Sequence, residues 1–304
     1  MSNLNKNVAL GCDAKSGCGA VKTVLKPKDK DLGGFTVRRT IPTVGYKNIG
    51  PWVFFDHMGP AQFKPGEGVD VRPHPHIGLA TVTYLFEGEM LHRDSIGTEA
   101  RVLPGDINLM VAGKGIVHSE RQRPEVKAEN NHVHGLQLWL ALPAEQETIS
   151  PAFYHYDKNQ LPVFEQPGVS ARIMIGSAYG ETSPVITLSP TLYIEARLQA
   201  GGELTLPHAT ERGLYVVEGN VTLNETSLAA HSMAILNDDP EVTIRAVKDS
   251  IIAVIGGDPL GKRYMEWNFV ASEQALITQA KKDWKAGRFD KVPGDEDAFI
   301  PLPE

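Results

Sequence analysis

The chain has 304 residues, 41% of them hydrophobic, and 30 Lys and Arg against 37 Asp and Glu give it a formal charge of -7. That is enough apolar material for two packed cores, and it excludes a chain that is disordered throughout. The acidic balance disfavours attraction of the whole surface to nucleic acid or anionic lipid, and no stretch reaches the apolar length that spans a bilayer.

Residues 1–33 read as a flexible leader rich in Gly and Lys, without the continuous apolar core of a secretion signal. Both cysteines, Cys12 and Cys18, lie in it. Two thiols cannot complete a four-ligand zinc site, and a chain with no disulfide framework suits a reducing cytoplasm. They read as incidental thiols, with a regulatory disulfide as the alternative.

From about Gly34 the pattern turns to strands. "GFTVRRTIP", "PWVFFDHMGP", "ATVTYLFEGEMLHRD", "ARVLPGDINLMVAGKGIVHSE" and "HVHGLQLWLALP" are short β-branched or aromatic runs. They are punctuated by "EG", "SIGT", "LPGD" and "AGKG", the turn chemistry of hairpins. Nothing in residues 34–144 has helical periodicity, so an antiparallel sandwich or barrel is expected there. Residues 145–167, with several prolines and polar side chains, read as a linker. Strands then resume from 168, and "LYVVEGNVTLN" repeats the apolar run and Glu-Gly of "TYLFEGEMLH". The second domain, 168–304, ends in the one sizeable helix expected, Ala271 to Phe289, with Ser272 as its cap and Gly287 near its end.

The chemistry-bearing residues stand in the first domain. His74 and His76 are two residues apart at the head of a strand, and strand alternation aims both imidazoles to one side. His118 and Glu120 repeat the spacing after the Gly-x-Gly turn of "GKGIVHSE". If the strands fold back into a barrel, three neutral imidazoles and one carboxylate converge on a site for a first-row divalent metal. Such an ion keeps positions open for dioxygen and a substrate. His92 reads as supporting or structural, and His132 and His134 as surface or core packing.

These residues also carry a resemblance. "VFFDHMGP", "RPHPHIGLATVTYLFEGEMLHRDSIG", "PGDINLMVAGKGIVHSE" and "GGDPLG" closely resemble the pirin family of the cupin superfamily, over about Val37 to Phe289. The resemblance implies an all-β bicupin: two antiparallel β-barrel (jelly-roll) domains with a C-terminal helix, and one metal in the N-terminal barrel. The family's ligands fall on His74, His76, His118 and Glu120. Iron(II) is the ion the family suggests, although imidazole and carboxylate donors also suit Mn, Co, Ni, Cu and Zn. Carrying His74 and His76 forward by the spacing between the two Glu-Gly pairs lands on Thr205 and Pro207, so the second barrel is expected to be a metal-free scaffold.

The resemblance implies two behaviours. One is a quercetin 2,3-dioxygenase-like enzyme acting on a flavonol-like aromatic and dioxygen, with Glu120 accepting the proton of a flavonol hydroxyl. The other is a redox-sensing regulator that acts through protein partners. A monomer is implied, with no direct contact to nucleic acid or membrane.

Overall fold

The computed structural model describes residues 19–31, 35–238 and 241–303, so Cys12 and Cys18 lie outside the described residues. The chain divides into two compact units. One is Lys28–Gln160 with Leu260–Glu304; the other joins Leu161–Pro259 to the residues up to Pro27.

The first unit is built from two antiparallel sheets. The larger has seven strands in the order Ala152–Tyr156, Ile107–Val111, Leu79–Gly88, Asn131–Ala141, Trp52–Phe63, Thr36–Ile41 and Lys28–Asp31. The smaller runs Asp70–His76, Ile116–Arg121, Met90–Asp94 and Glu99–Val102. Alternation along the strands sorts the side chains. Phe54, Asp56 and Met58 from one central strand, and Gln137 and Trp139 from its neighbour, face a cavity that the smaller sheet walls with Val71, His74, His76, His118 and Glu120. Apolar clusters around Val37, Leu85 and Val133, and around Leu79, Met110 and Trp139, pack at either side of it.

The second unit has a nine-stranded antiparallel sheet whose longest members, Glu211–Leu223 and Val242–Gly257, pair along most of their length. Glu203–Leu206 and Thr226–Ala229 branch from these two strands. The sheet surrounds one continuous aliphatic cluster, to which Leu204, Leu206, Val242 and Ile244 belong. The repeat seen in sequence survives in backbone detail. Gly88 and Gly219 both adopt a positive φ, at 86° and 91°. A Cβ at Gly88 would stand 2.2 Å from the His132 carbonyl oxygen, and one at Gly219 2.5 Å from that of Asp249, so neither position admits a side chain.

Three elements differ from expectation. Residues within the expected leader form strands: Val21–Leu25 pairs with Met233–Leu236 at the edge of the second sheet, and Lys28–Asp31 pairs with Thr36–Ile41. The expected linker contains Ala152–Tyr156 and Val163–Gln166, because Pro151 and Pro162 flank these short runs rather than interrupting them. The helix is shorter, Gln274–Lys285, and Ser272 does not cap it; its hydroxyl and amide both bond to the Glu147 carboxylate, at 2.5 and 2.7 Å. Gly287 comes just after the last turn with φ 66°, as its place in the sequence suggests. The helix also packs with the first unit, beside Phe269–Ala271, so the division at 167/168 and the compact units are different partitions of the chain.

No helix among the described residues is long and apolar enough to cross a membrane.

Candidate metal centre

His74 and His76 lie on Asp70–His76, the edge strand of the smaller sheet. Pro73 and Pro75 alternate with them, which an edge strand tolerates because a missing N–H there breaks little of the ladder. The exposed edge is partly covered: the Ile300 N–H donates to the Pro73 carbonyl at 2.8 Å. Across the ladder His118 is the register partner of His74, and Ile116 of His76. The register then shifts, so that Glu120 opposes Val71. Such a bulge bends the strand and re-aims the side chains beyond it.

The three imidazoles meet. His74, His76 and His118 are all buried, and each offers a donor atom within 4.8 Å of the others. Among the described residues this is the one group of three or more such donors. Glu120 is not part of that tight group, although it is buried and lines the same cavity. The Thr83 hydroxyl lies between Glu120 Oε1 at 3.3 Å and Gln137 Oε1 at 2.9 Å, and its single hydrogen serves one of them at a time.

The hydrogen bonds fix which nitrogen of each ring is free. His74 Nδ1–H donates to the Arg72 carbonyl at 2.8 Å, and His76 Nδ1–H to the Asn268 carbonyl at 3.1 Å. His92 Nε2–H donates to Asp94 Oδ2 at 3.0 Å, which leaves His92 Nδ1 as an acceptor. That acceptor stands 3.4 Å from His118 Nδ1, a partner for a proton carried there. The Nε2 lone pairs of His74 and His76 are therefore unprotonated, that of His118 is bare too when its proton sits on Nδ1, and all three rings line the cavity. His76 Nε2 and His118 Nε2 are 3.1 Å apart. With the His118 proton on Nδ1, two bare lone pairs meet at that distance, an arrangement that a cation between them relieves. Two nitrogens each about 2.1 Å from one ion, at a right angle, would stand about 3 Å apart. The donor set fits a metal.

Electrostatics agree. Burial holds the His74 imidazolium down to about 4, and pushes His76 and His118 well below the usual histidine range. Neutral rings are the ligating form. Burial pushes the Glu120 carboxyl up, against the smaller opposing pull of His92 and Thr83.

The cavity has a volume of about 380 Å³. One wall is aromatic. Phe54 stacks on Trp139 with centroids 3.9 Å apart and planes at 10°, and the Trp139 edge meets His76 at 5.0 Å. Arg39 lies over Phe54 at 4.3 Å while gripping both oxygens of Asp56, at 2.7 and 2.8 Å. Trp267, Asn268 and Ile300 close the cavity from the C-terminal segment. Nothing in the sequence pattern marks this wall. The support given by Asp94 has a signal, the i, i+2 pair His92 and Asp94, whereas that of Asn268, 192 residues from His76, has none. His132 is exposed opposite Glu87, and His134 is buried with its Nε2 2.8 Å from that of His57, neither of them in the donor group.

Two antiparallel β-barrels, with imidazoles converging between the sheets of the first, define a bicupin. Two family models match, "Pirin" over residues 34–140 and "Pirin C-terminal cupin domain" over 193–290. A Caulobacter vibrioides protein named pirin-like is 43% identical over 93% of this chain and all of that one, and human pirin is 31% identical over 86% and 91%. Among solved structures, a quercetin 2,3-dioxygenase from Acinetobacter baumannii superposes with a TM-score of 0.86 at 32% identity, covering 93% of this chain and 95% of that one. The chain belongs to the pirin family.

Proposed function

We propose that the protein is a mononuclear metal oxygenase of flavonol-like substrates, with His74, His76, His118 and Glu120 holding one divalent ion, iron(II) foremost. The observation that carries this reading is three buried imidazoles whose donor atoms lie within 4.8 Å of one another, lining a cavity with a stacked aromatic wall. The name of the Acinetobacter structure supports the choice of substrate class. Bound there, a divalent ion supplies a Lewis acid and a fixed point at which substrate and dioxygen meet.

The chain's own residues do the rest. The Phe54 and Trp139 rings present a flat face against which a planar polyphenol lies, and about 380 Å³ falls within the range of small-molecule sites, roughly 300–1,000 Å³. Glu120, the one carboxylate among these four residues, takes the hydroxyl proton of the substrate, a role that requires it to be held loosely or reversibly by the ion, because coordination lowers a carboxylate's basicity. The Thr83 hydroxyl orients Glu120 while the proton moves. Burial keeps water from competing for either group.

The test is oxygen uptake by iron-loaded protein given quercetin, beside His118→Ala. Uptake by the parent and none by the variant is expected; equal uptake would exclude this site. Glu120→Gln is expected to keep part of its metal and lose turnover, and full turnover in it would remove the proton role. Metal-loaded parent that takes up no oxygen would favour the regulator instead.

A further inference from the structure

The first unit carries a second and larger cavity, a cleft of about 820 Å³ between the turn at 42–51 and the segment from Leu260 to Gln274. Its charge runs against that of the molecule. Lys28, Lys47, Lys262 and Arg263 line it, and Glu266 is the one carboxylate among its lining residues. Glu266 is already taken, by Lys281 at 2.5 Å and by Gln274 at 3.1 Å. None of the four cations forms an ion pair with a described carboxylate. Arg263 spends its guanidinium hydrogens on the carbonyls of Leu142, Leu260 and Lys262, which orients the group without neutralising it. Lys262 rests over the Tyr264 ring at 4.5 Å. Between the cations the floor is apolar, made by Pro42, Pro51, Val53 and Met265. In a chain of formal charge -7, an unneutralised basic rim around an apolar floor selects an anion that has an apolar body.

The cleft and the histidine cavity share one hairpin. Tyr264–Glu266 pairs with Phe269–Ala271, and Tyr264, Met265 and Glu266 face the cleft. The two residues at its tip, Trp267 and Asn268, face the histidines instead, where the Asn268 carbonyl accepts the His76 Nδ1–H. Trp267 has φ 52°, a left-handed conformation that a bulky side chain adopts only under strain. Packing against Phe269 and Trp284 holds it there. One continuous hairpin thus lines both cavities, so a shift of its base displaces its tip.

We propose that this cleft binds a small organic anion with an apolar body, and that its occupancy is felt at His76 through the Tyr264–Ala271 hairpin. The binding half is independent of the metal reading, whereas the coupling half rests on it. Calorimetric titration of the full chain, both metal-free and metal-loaded, tests the two separately. Isophthalate and phenyl phosphate serve as probes, with sulfate and benzyl alcohol as controls.

Saturable binding of at least one probe by metal-free protein is expected, weakened at least tenfold in the Lys47→Ala, Lys262→Ala double variant. Preference for one probe identifies carboxylate or phosphate as the anionic group. No saturable binding of either probe, equal binding of sulfate, or equal affinity in the double variant would overturn the site. In metal-loaded protein, a saturating probe is expected to shift the metal dissociation constant, read by chelator competition, by about fivefold or more. An unchanged constant with the probe bound would overturn the coupling.

Discussion

The two barrels place different chemistry at matching points of one ladder. In the first, His74 opposes His118, and His76 lies two residues on. In the second, Leu204 opposes Ile244 and Leu206 opposes Val242, with every one of these side chains buried in the aliphatic cluster. Alternation aims both sets inward. Four branched aliphatics stand where the first barrel has imidazoles, so these inward positions belong to a core in one barrel and line a cavity of about 380 Å³ in the other. The comparison teaches that the fold supplies direction, and that the residue types at a few inward positions decide between a core and a site.

Removing a donor should have the largest effect. His118→Ala takes one of three converging nitrogens and leaves His76 Nε2 without its neighbour; metal analysis of the purified variant is expected to find next to none. The second barrel should respond in stability instead. Leu204→Ala is expected to lower the unfolding free energy by about 2–5 kcal/mol, the range for a fully buried leucine, in a denaturant titration. Its metal content should stay that of the parent, and a loss of metal there would break the division of labour.

A smaller effect is expected from support. His92→Phe keeps the ring that stacks on Phe153 but removes the acceptor for the His118 proton. The proton is then free to move to Nε2, and metal affinity should fall about 10–100-fold by chelator competition. No change would mean that His118 is held in its tautomer by something else.

The smallest effect concerns Glu89, which stands next after the Glu-Gly of the first barrel where the second has Asn220. Burial pushes its carboxyl up, but hydrogen bonds from Arg123 and Arg101 together outweigh this and hold it below the usual range. The folded state therefore binds this proton less readily than the unfolded chain. The stabilisation is complete above the unfolded carboxyl range, near pH 4–5, and is lost as pH falls through the lower folded value. Glu89→Gln should show a shallower loss of stability below pH 5, by denaturant titration at several pH values; an identical acid limb would remove the role.

How much of the molecule is legible in the sequence depends on how local each signal is. His74, His76 and His118 stand out because period-two spacing turns sequence directly into direction, whereas Glu120, beyond a shift in register, lines the same cavity outside the tight donor group. The second barrel shows the limit of the same rule. Spacing between the Glu-Gly pairs points to Thr205 and Pro207, yet Leu204 and Leu206 are the inward ones. A single residue of slip exchanges the faces of a strand, and irregularities in the pairing of Glu211–Leu223 with Val242–Gly257 show that residue counts are not kept between repeats. Asn268, Trp267 and Ile300 have no signal because long-range closure leaves no periodicity behind. The strands of residues 145–167 are masked by prolines that mark their ends.

The closure of the cavity by late residues has a consequence for biogenesis. Ile300 bonds to the histidine-bearing edge strand, and Asp295 grips Arg121, the neighbour of Glu120, with two hydrogen bonds at 2.6 and 2.8 Å. In chain order the three histidines come before the second barrel, and these fasteners come after it. Synthesis runs from the N-terminus, so the nascent chain carries an unfinished pocket for as long as the second barrel is being made, and the pocket is sealed only by what is made afterwards.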